Sequence, residues 1–121
     1  MKAYLVAGEP SGDRLGAALM GGLRTLVPDI EFMGVGGPGM AAEGLESLFP
    51  MEELSVMGLM EVLPKYRHLV RRKDQVVADV LQHRPDVLIT IDAPDFCLRV
   101  AAGVKEVRPE LRTVHYVAPS V

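Results

Sequence analysis

Ala3-Tyr4-Leu5-Val6-Ala7 runs directly into Gly8-Glu9-Pro10-Ser11-Gly12-Asp13, and this stretch decides the fold. An unbroken apolar run of that length suits a strand buried on both faces of a parallel sheet. Gly8 and Gly12 let the backbone turn sharply. A helical pattern follows over Gly12–Val27, with Leu15, Leu19, Leu23 and Leu26 at three-to-four spacing, until Pro28 stops it. Strand, tight turn and amphipathic helix make the first half of a β-α-β unit.

The same alternation continues along the chain. Ile30–Val35 reads as a second strand, Met40–Glu43 as a short helical turn ended by Gly44, and Glu46–Phe49 as a weak third strand. A long helix starts near Leu63 and runs to His83, with Pro64 in its first turn. Tyr66, Leu69, Val70, Lys73, Val76, Val77, Val80 and Leu81 share one of its faces. Asp86–Ile91 is a fourth strand, Phe96–Val107 a helix and Arg112–Val117 a fifth strand. Short connections of this kind predict an α/β fold: a Rossmann-like parallel sheet of about five strands in the order 3-2-1-4-5, with helices on both faces. The switch point then falls between the first and fourth strands, where ligands bind outside the carboxyl ends. The loops Gly8–Asp13 and Ile91–Phe96 open on that edge.

The 121 residues amount to one domain, 49% hydrophobic and 24% charged. A net charge of −3 excludes the broad basic footprint of a general nucleic-acid binder. Cys97 is the only cysteine, so an intrachain disulfide and a cysteine-based zinc site are both ruled out. No apolar run approaches the roughly 20 residues of a membrane span, and no signal-peptide core precedes the first strand. These features point to a cytoplasmic protein, free or held at a membrane surface. The chain stops just after the fifth strand, which predicts an incomplete domain with an open edge capable of self-association.

Gly8–Asp13 has two readings. Ser11 and Asp13 suit helix caps, and the amides of a helix N-terminus suit an anion. The loop lacks the lysine and spacing of a Walker A motif. Gly34-Val35-Gly36-Gly37-Pro38-Gly39 matches G-x-G-x-x-G but follows the second strand and opens only a short helix, so it is a turn lining the crevice and not a dinucleotide site. Asp92, the first residue to leave the fourth strand, is placed for general-base work or for capping, while Asp95 after Pro94 suits an N-cap. Two aspartates without a third ligand nearby do not make a metal site. Met57–Val62 lies beside a basic cluster containing Arg67, His68, Arg71 and Arg72. The pair is either a core helix with a solvated basic face or a contact for anionic headgroups and acyl chains. His115 lies within a strand and no G-x-S-x-G elbow exists, which removes a serine hydrolase. A small phosphate- or nucleotide-binding module without catalysis is the alternative to an enzyme.

Six motifs in order carry a family resemblance: Val6–Asp13, Gly34–Pro38, Met51–Gly58, Arg84–Val87, Ile91–Phe96 and His115–Val121. Together they closely resemble the N-terminal part of the lipid-A-disaccharide synthase family. The resemblance implies a GT-B glycosyltransferase, with two Rossmann-like domains across a cleft and neither metal nor cofactor. This chain would be the acceptor-side domain, inactive without the donor half. The implied reaction passes 2,3-diacylglucosamine from UDP-diacylglucosamine to diacylglucosamine 1-phosphate at the inner-membrane surface. Asp92 takes the family's position for the base. Gly8, Glu9, Ser11, Gly12, Asp13, Gly36, Gly37 and Asp95 become substrate contacts. Met57, Leu59, Met60, Val62 and Leu63 would meet acyl chains, and Arg67, Arg71 and Arg72 headgroups. Pro64 departs from the continuous helix expected there.

Overall fold

The computed structural model describes residues 1–55 and 63–117, with Ser55 and residues 63–66 described by backbone alone. Its elements are β1 (Lys2–Ala7), α1 (Pro10–Leu26), β2 (Glu31–Val35), α2 (Pro38–Ala42), α3 (Glu52–Ser55), α4 (Leu63–His83), β3 (Val87–Ile91), α5 (Pro94–Val107) and β4 (Arg112–Tyr116). The four strands form one parallel sheet in the order β2-β1-β3-β4. That is the expected order with its outermost member reduced. The stretch read as a third strand touches β2 through a single parallel bridge, Gly34 to Ser47. There the Ser47 hydroxyl accepts from the Gly36 amide at 3.1 Å and donates to the Phe49 carbonyl at 2.6 Å. A side chain bonding so close to its own backbone competes with a ladder. Pro50, which has no N–H, then prevents its extension.

Strand alternation assigns the helices to faces. A Cβ built on Gly12 of α1 would lie 3.5 Å from Ala7 Cβ and from Ile91 Cγ2, so α1 covers the face that carries Ala7 and Ile91. Tyr4 points the other way, and its hydroxyl donates to Asp79 Oδ2 of α4 at 2.7 Å. Burial and the neighbouring Asp79 carboxylate push the Tyr4 hydroxyl far above its ordinary pKa, so it stays a neutral donor. The α5 helix packs beside α4 on that second face. The connections β1–α1–β2 and β3–α5–β4 run outward in opposite directions, so right-handed crossovers require opposite faces.

The core is therefore centred on β1, whose Ala3 to Ala7 are all fully buried. Of the expected α4 face, Val76 and Val80 are fully buried, and Leu69, Val77 and Leu81 pack around them. On β4, Val114 and Tyr116 remain exposed on the α1 side of the sheet, beyond the reach of that helix. No helix among the described residues is long and apolar enough to cross a membrane.

Candidate functional site

β1 and β3 are neighbours, and the chain leaves them toward opposite edges, so their carboxyl ends frame the crevice of an open α/β sheet. The two loops meet there. A Cβ on Gly8 would sit 3.2 Å from the Ala93 Cβ, a spacing that leaves no slack for a larger residue. A groove of about 830 Å³ opens from the junction. Gly8 and Glu9 of the first loop and Ala93 to Phe96 of the second form its head. Leu54 of α3 supplies a wall, and Leu98, Arg99 and Ala102 carry the groove along α5.

The second loop is strained. Asp92 and Ala93 have φ of 49° and 39°, two successive left-handed residues without a glycine. Such residues cost ~1–3 kcal/mol each and persist where surrounding structure holds them. The hold is visible: the Asp92 amide donates to the Tyr116 carbonyl at 3.0 Å, continuing the β3–β4 ladder one residue past the strand. Asp92 itself is half-buried, immediately before the groove-lining residues. The turn moves the start of α5 to Pro94, two residues earlier than periodicity suggested. Ala93 is consequently the N-cap residue, and Asp95 is not a cap. It lies in the first turn, exposed, lining the groove.

The first loop is spent differently. Helix α1 begins at Pro10, so Ser11 and Asp13 lie inside it and neither caps it. Ser11 is exposed and Gly12 is buried against β3. Asp13 is 5% exposed and accepts three backbone amides: Gly37 at 2.9 Å, Gly39 at 2.8 Å and Met40 at 2.9 Å. This carboxylate holds the N-terminus of α2 against α1, and its burial and three bonds turn it inward, away from a sugar. Gly37 must be glycine for the contact, since a Cβ there would lie 2.9 Å from the Asp13 carboxyl carbon. The Gly36 and Gly37 amides, expected to cradle a ligand, are both donated within the protein.

Cys97, one turn into α5, is buried with its thiol toward the Val6 carbonyl at 3.9 Å. Burial pushes the thiol up to about 12, which keeps it neutral and unreactive. His115 places Nδ1 2.7 Å from the Thr90 hydroxyl within the sheet, away from any serine nucleophile among the described residues. No group of three or more His, Cys, Asp or Glu among the described residues could hold a metal ion.

A family model described as lipid-A-disaccharide synthetase matches residues 3–121. The chain belongs to the lipid-A-disaccharide synthetase family. It is similar to a lipid-A-disaccharide synthase of Ruegeria pomeroyi, 65% identical over 121 residues, covering 100% of this chain and 30% of that protein. A lipid-A-disaccharide synthase of Pseudomonas aeruginosa is 57% identical over 121 residues, covering 100% and 32%. One of Rhodospirillum centenum is 50% identical over 119 residues, covering 98% and 30%. The chain thus spans about a third of the length of the curated relatives it matches.

The basic stretch of this family member divides in two. Arg67 and Arg71 are exposed. Arg72 is not available as expected: its guanidinium meets Glu53 Oε1 at 2.6 Å, bonds Gln75 at 2.6 Å and stacks over Phe49 at 4.5 Å. His68 of the same cluster also meets Glu53 Oε1, at 2.8 Å. The Arg72 guanidinium, then His68, hold the Glu53 carboxyl below its ordinary pKa. This clamp ties α3 to α4. Met57, Leu59, Met60 and Val62 lie outside the described residues, and Leu63 opens α4 with only its backbone described. Arg99, Leu54 and Leu98 escaped the sequence reading. Asp95, Leu98, Arg99 and Ala102 share a stripe at i, i+3, i+4 and i+7, which was the available signal.

Proposed function

We propose that this domain is the acceptor-side, N-terminal Rossmann-like part of a GT-B lipid-A-disaccharide synthase. The reaction is an inverting transfer of 2,3-diacylglucosamine from UDP-diacylglucosamine to diacylglucosamine 1-phosphate. The 6-hydroxyl oxygen of the acceptor attacks the anomeric carbon of the donor. The bond from that carbon to the UDP oxygen breaks as the new β-1,6 bond forms, and UDP departs as the anion. The hydroxyl proton passes to the Asp92 carboxylate acting as general base. The observation that carries this reading is the groove itself. It joins the two strand-end loops, is lined by Glu9 and Asp95, begins at the residue after Asp92, and continues along the apolar Leu54, Leu98 and Ala102. A substrate with sugar hydroxyls at one end and acyl chains at the other matches that polarity.

Of the expected sugar contacts, Gly8, Glu9 and Asp95 retain the role, while Ser11 is exposed and does not line the groove. Gly12, Asp13, Gly36 and Gly37 support the loop from within. The donor half and its nucleotide contacts belong to residues outside this chain, so the 121 residues alone turn nothing over. Acylated substrates require a peripheral position on the cytoplasmic side of the inner membrane. The exposed Arg67 and Arg71 supply charge for anionic headgroups there.

In the complete protein, Asp92→Asn is expected to lower turnover roughly 10²–10⁴-fold, the range typical of a lost general base. Thermal unfolding of the variant beside the parent separates a lost base from a lost fold. Turnover within a few-fold of the parent would remove Asp92 from the chemistry and the assignment with it.

A further inference from the structure

The geometry points to Arg99 as the residue that binds the acceptor's phosphate and makes the enzyme prefer a phosphorylated acceptor. This rests on the acceptor-side reading above and adds to it a residue that neither the motifs nor the resemblance singled out. Among the described residues, Arg99 is the only cation lining the groove. Among the described residues it has no hydrogen-bond or ion-pair partner, although Asp95 stands four residues before it on the same helix. Arg24, Arg72 and Arg108 show the usual alternative, each paired with a glutamate.

Charge balance favours a cation at this place. Glu9 and Asp95 line the groove and Asp92 adjoins it, so the charged side chains at the head of the site would repel a phosphate. Asp95 and Arg99 are about 6 Å apart along the helix axis. That offset moves the phosphate away from the carboxylates by one sugar ring. In glucosamine 1-phosphate the 6-hydroxyl and the anomeric phosphate flank the ring oxygen from opposite sides. A sugar seated with its 6-hydroxyl at the strand ends therefore presents its phosphate toward Arg99. A guanidinium accepts a phosphate through paired N–H donors, which suits it to this task better than an ammonium. Leu98 and Ala102 on the same stripe then receive the acyl portion.

The test uses the complete protein and two acceptors, diacylglucosamine 1-phosphate and its dephosphorylated form, in mixed micelles. In the Arg99→Gln variant the ratio of kcat/KM values favouring the phosphorylated acceptor is expected to fall about tenfold or more. Arg99→Lys should recover part of that ratio. A ratio that holds in Arg99→Gln overturns the inference, as does an equal loss on both acceptors. Direct binding of the two lipids separates this result from the underlying reading. If the parent transfers to neither acceptor, the general reading fails. The role of Arg99 then stands only if the parent binds the phosphorylated lipid more tightly and Arg99→Gln erases the difference. Equal binding of both lipids by the parent overturns it.

Discussion

The loop leaving β1 turns through Gly8 into a helix whose first carboxylate, Asp13, is buried and holds three amides of the next element. The loop leaving β3 turns through two left-handed residues and leaves Asp95 exposed in the groove. Both loops end a buried strand, both begin a helix with proline, and both carry acidic residues. What separates them is whether backbone amides reach the carboxylate. A carboxylate that satisfies three backbone donors, one buried and two half-buried, is a strut, and removing it takes the acceptor from each of them. One that meets none of them remains available to a substrate.

Substituting the strut breaks the comparison most severely. Asp13→Ala should cost about 3 kcal/mol, since the buried Met40 amide and the half-buried Gly37 and Gly39 amides lose their acceptor at up to roughly 1–3 kcal/mol each. Urea unfolding would register this as a lower midpoint with an unchanged slope. Asp13→Asn should fall between, because its single carbonyl oxygen can serve Gly37 and Met40 while its amide nitrogen faces the Gly39 donor. Parent-like stability in Asp13→Ala would place the strut elsewhere.

A smaller effect sharpens the account of the second loop. Ala93→Gly removes a left-handed alanine that costs ~1–2 kcal/mol, partly offset by the entropy of a new glycine. The variant should be as stable as the parent or up to about 1 kcal/mol more stable. Ala101→Gly, in the middle of α5, should instead lose about 1 kcal/mol. Equal losses at both positions would show that the turn at Ala93 is unstrained.

Glu53 makes the mildest case, a carboxylate used structurally at the surface beside the groove-wall residue Leu54. Its pKa is lowered in the folded protein, chiefly by Arg72, so its contribution is present above the ordinary carboxylate pKa. It is lost as pH falls through the lowered folded value. The stability difference between the parent and Glu53→Gln should therefore be present at neutral pH and close in acid. A difference independent of pH would mean that the clamp acts through packing of Arg72 on Phe49 and not through charge.

Local pattern carried much of the architecture. Apolar runs, helical spacing and the prolines and glycines between them act over a few residues, and they sufficed for the strand order, both faces of the sheet and the shared edge of the two loops. The weak Glu46–Phe49 strand shows where that logic stops. Its composition allowed a ladder, but the Ser47 hydroxyl and Pro50 decided otherwise. The acidic residues show it more sharply. Asp13, Asp92 and Asp95 look alike as letters: each was open to capping or to the site, and only Asp92 to general-base work.

By itself the sequence determined that a parallel α/β sheet forms and that two carboxylate-bearing loops share one end of it. Hydrophobic burial is read from periodicity along the chain, so this much needs no distant partner. Only the tertiary structure decided how the charges are spent: Asp13 across more than 20 residues on α2, Arg72 on Glu53, and Arg99 left open in a groove. Electrostatic and hydrogen-bonding roles depend on which donors and acceptors arrive within about 3 Å, and that is settled when the elements pack.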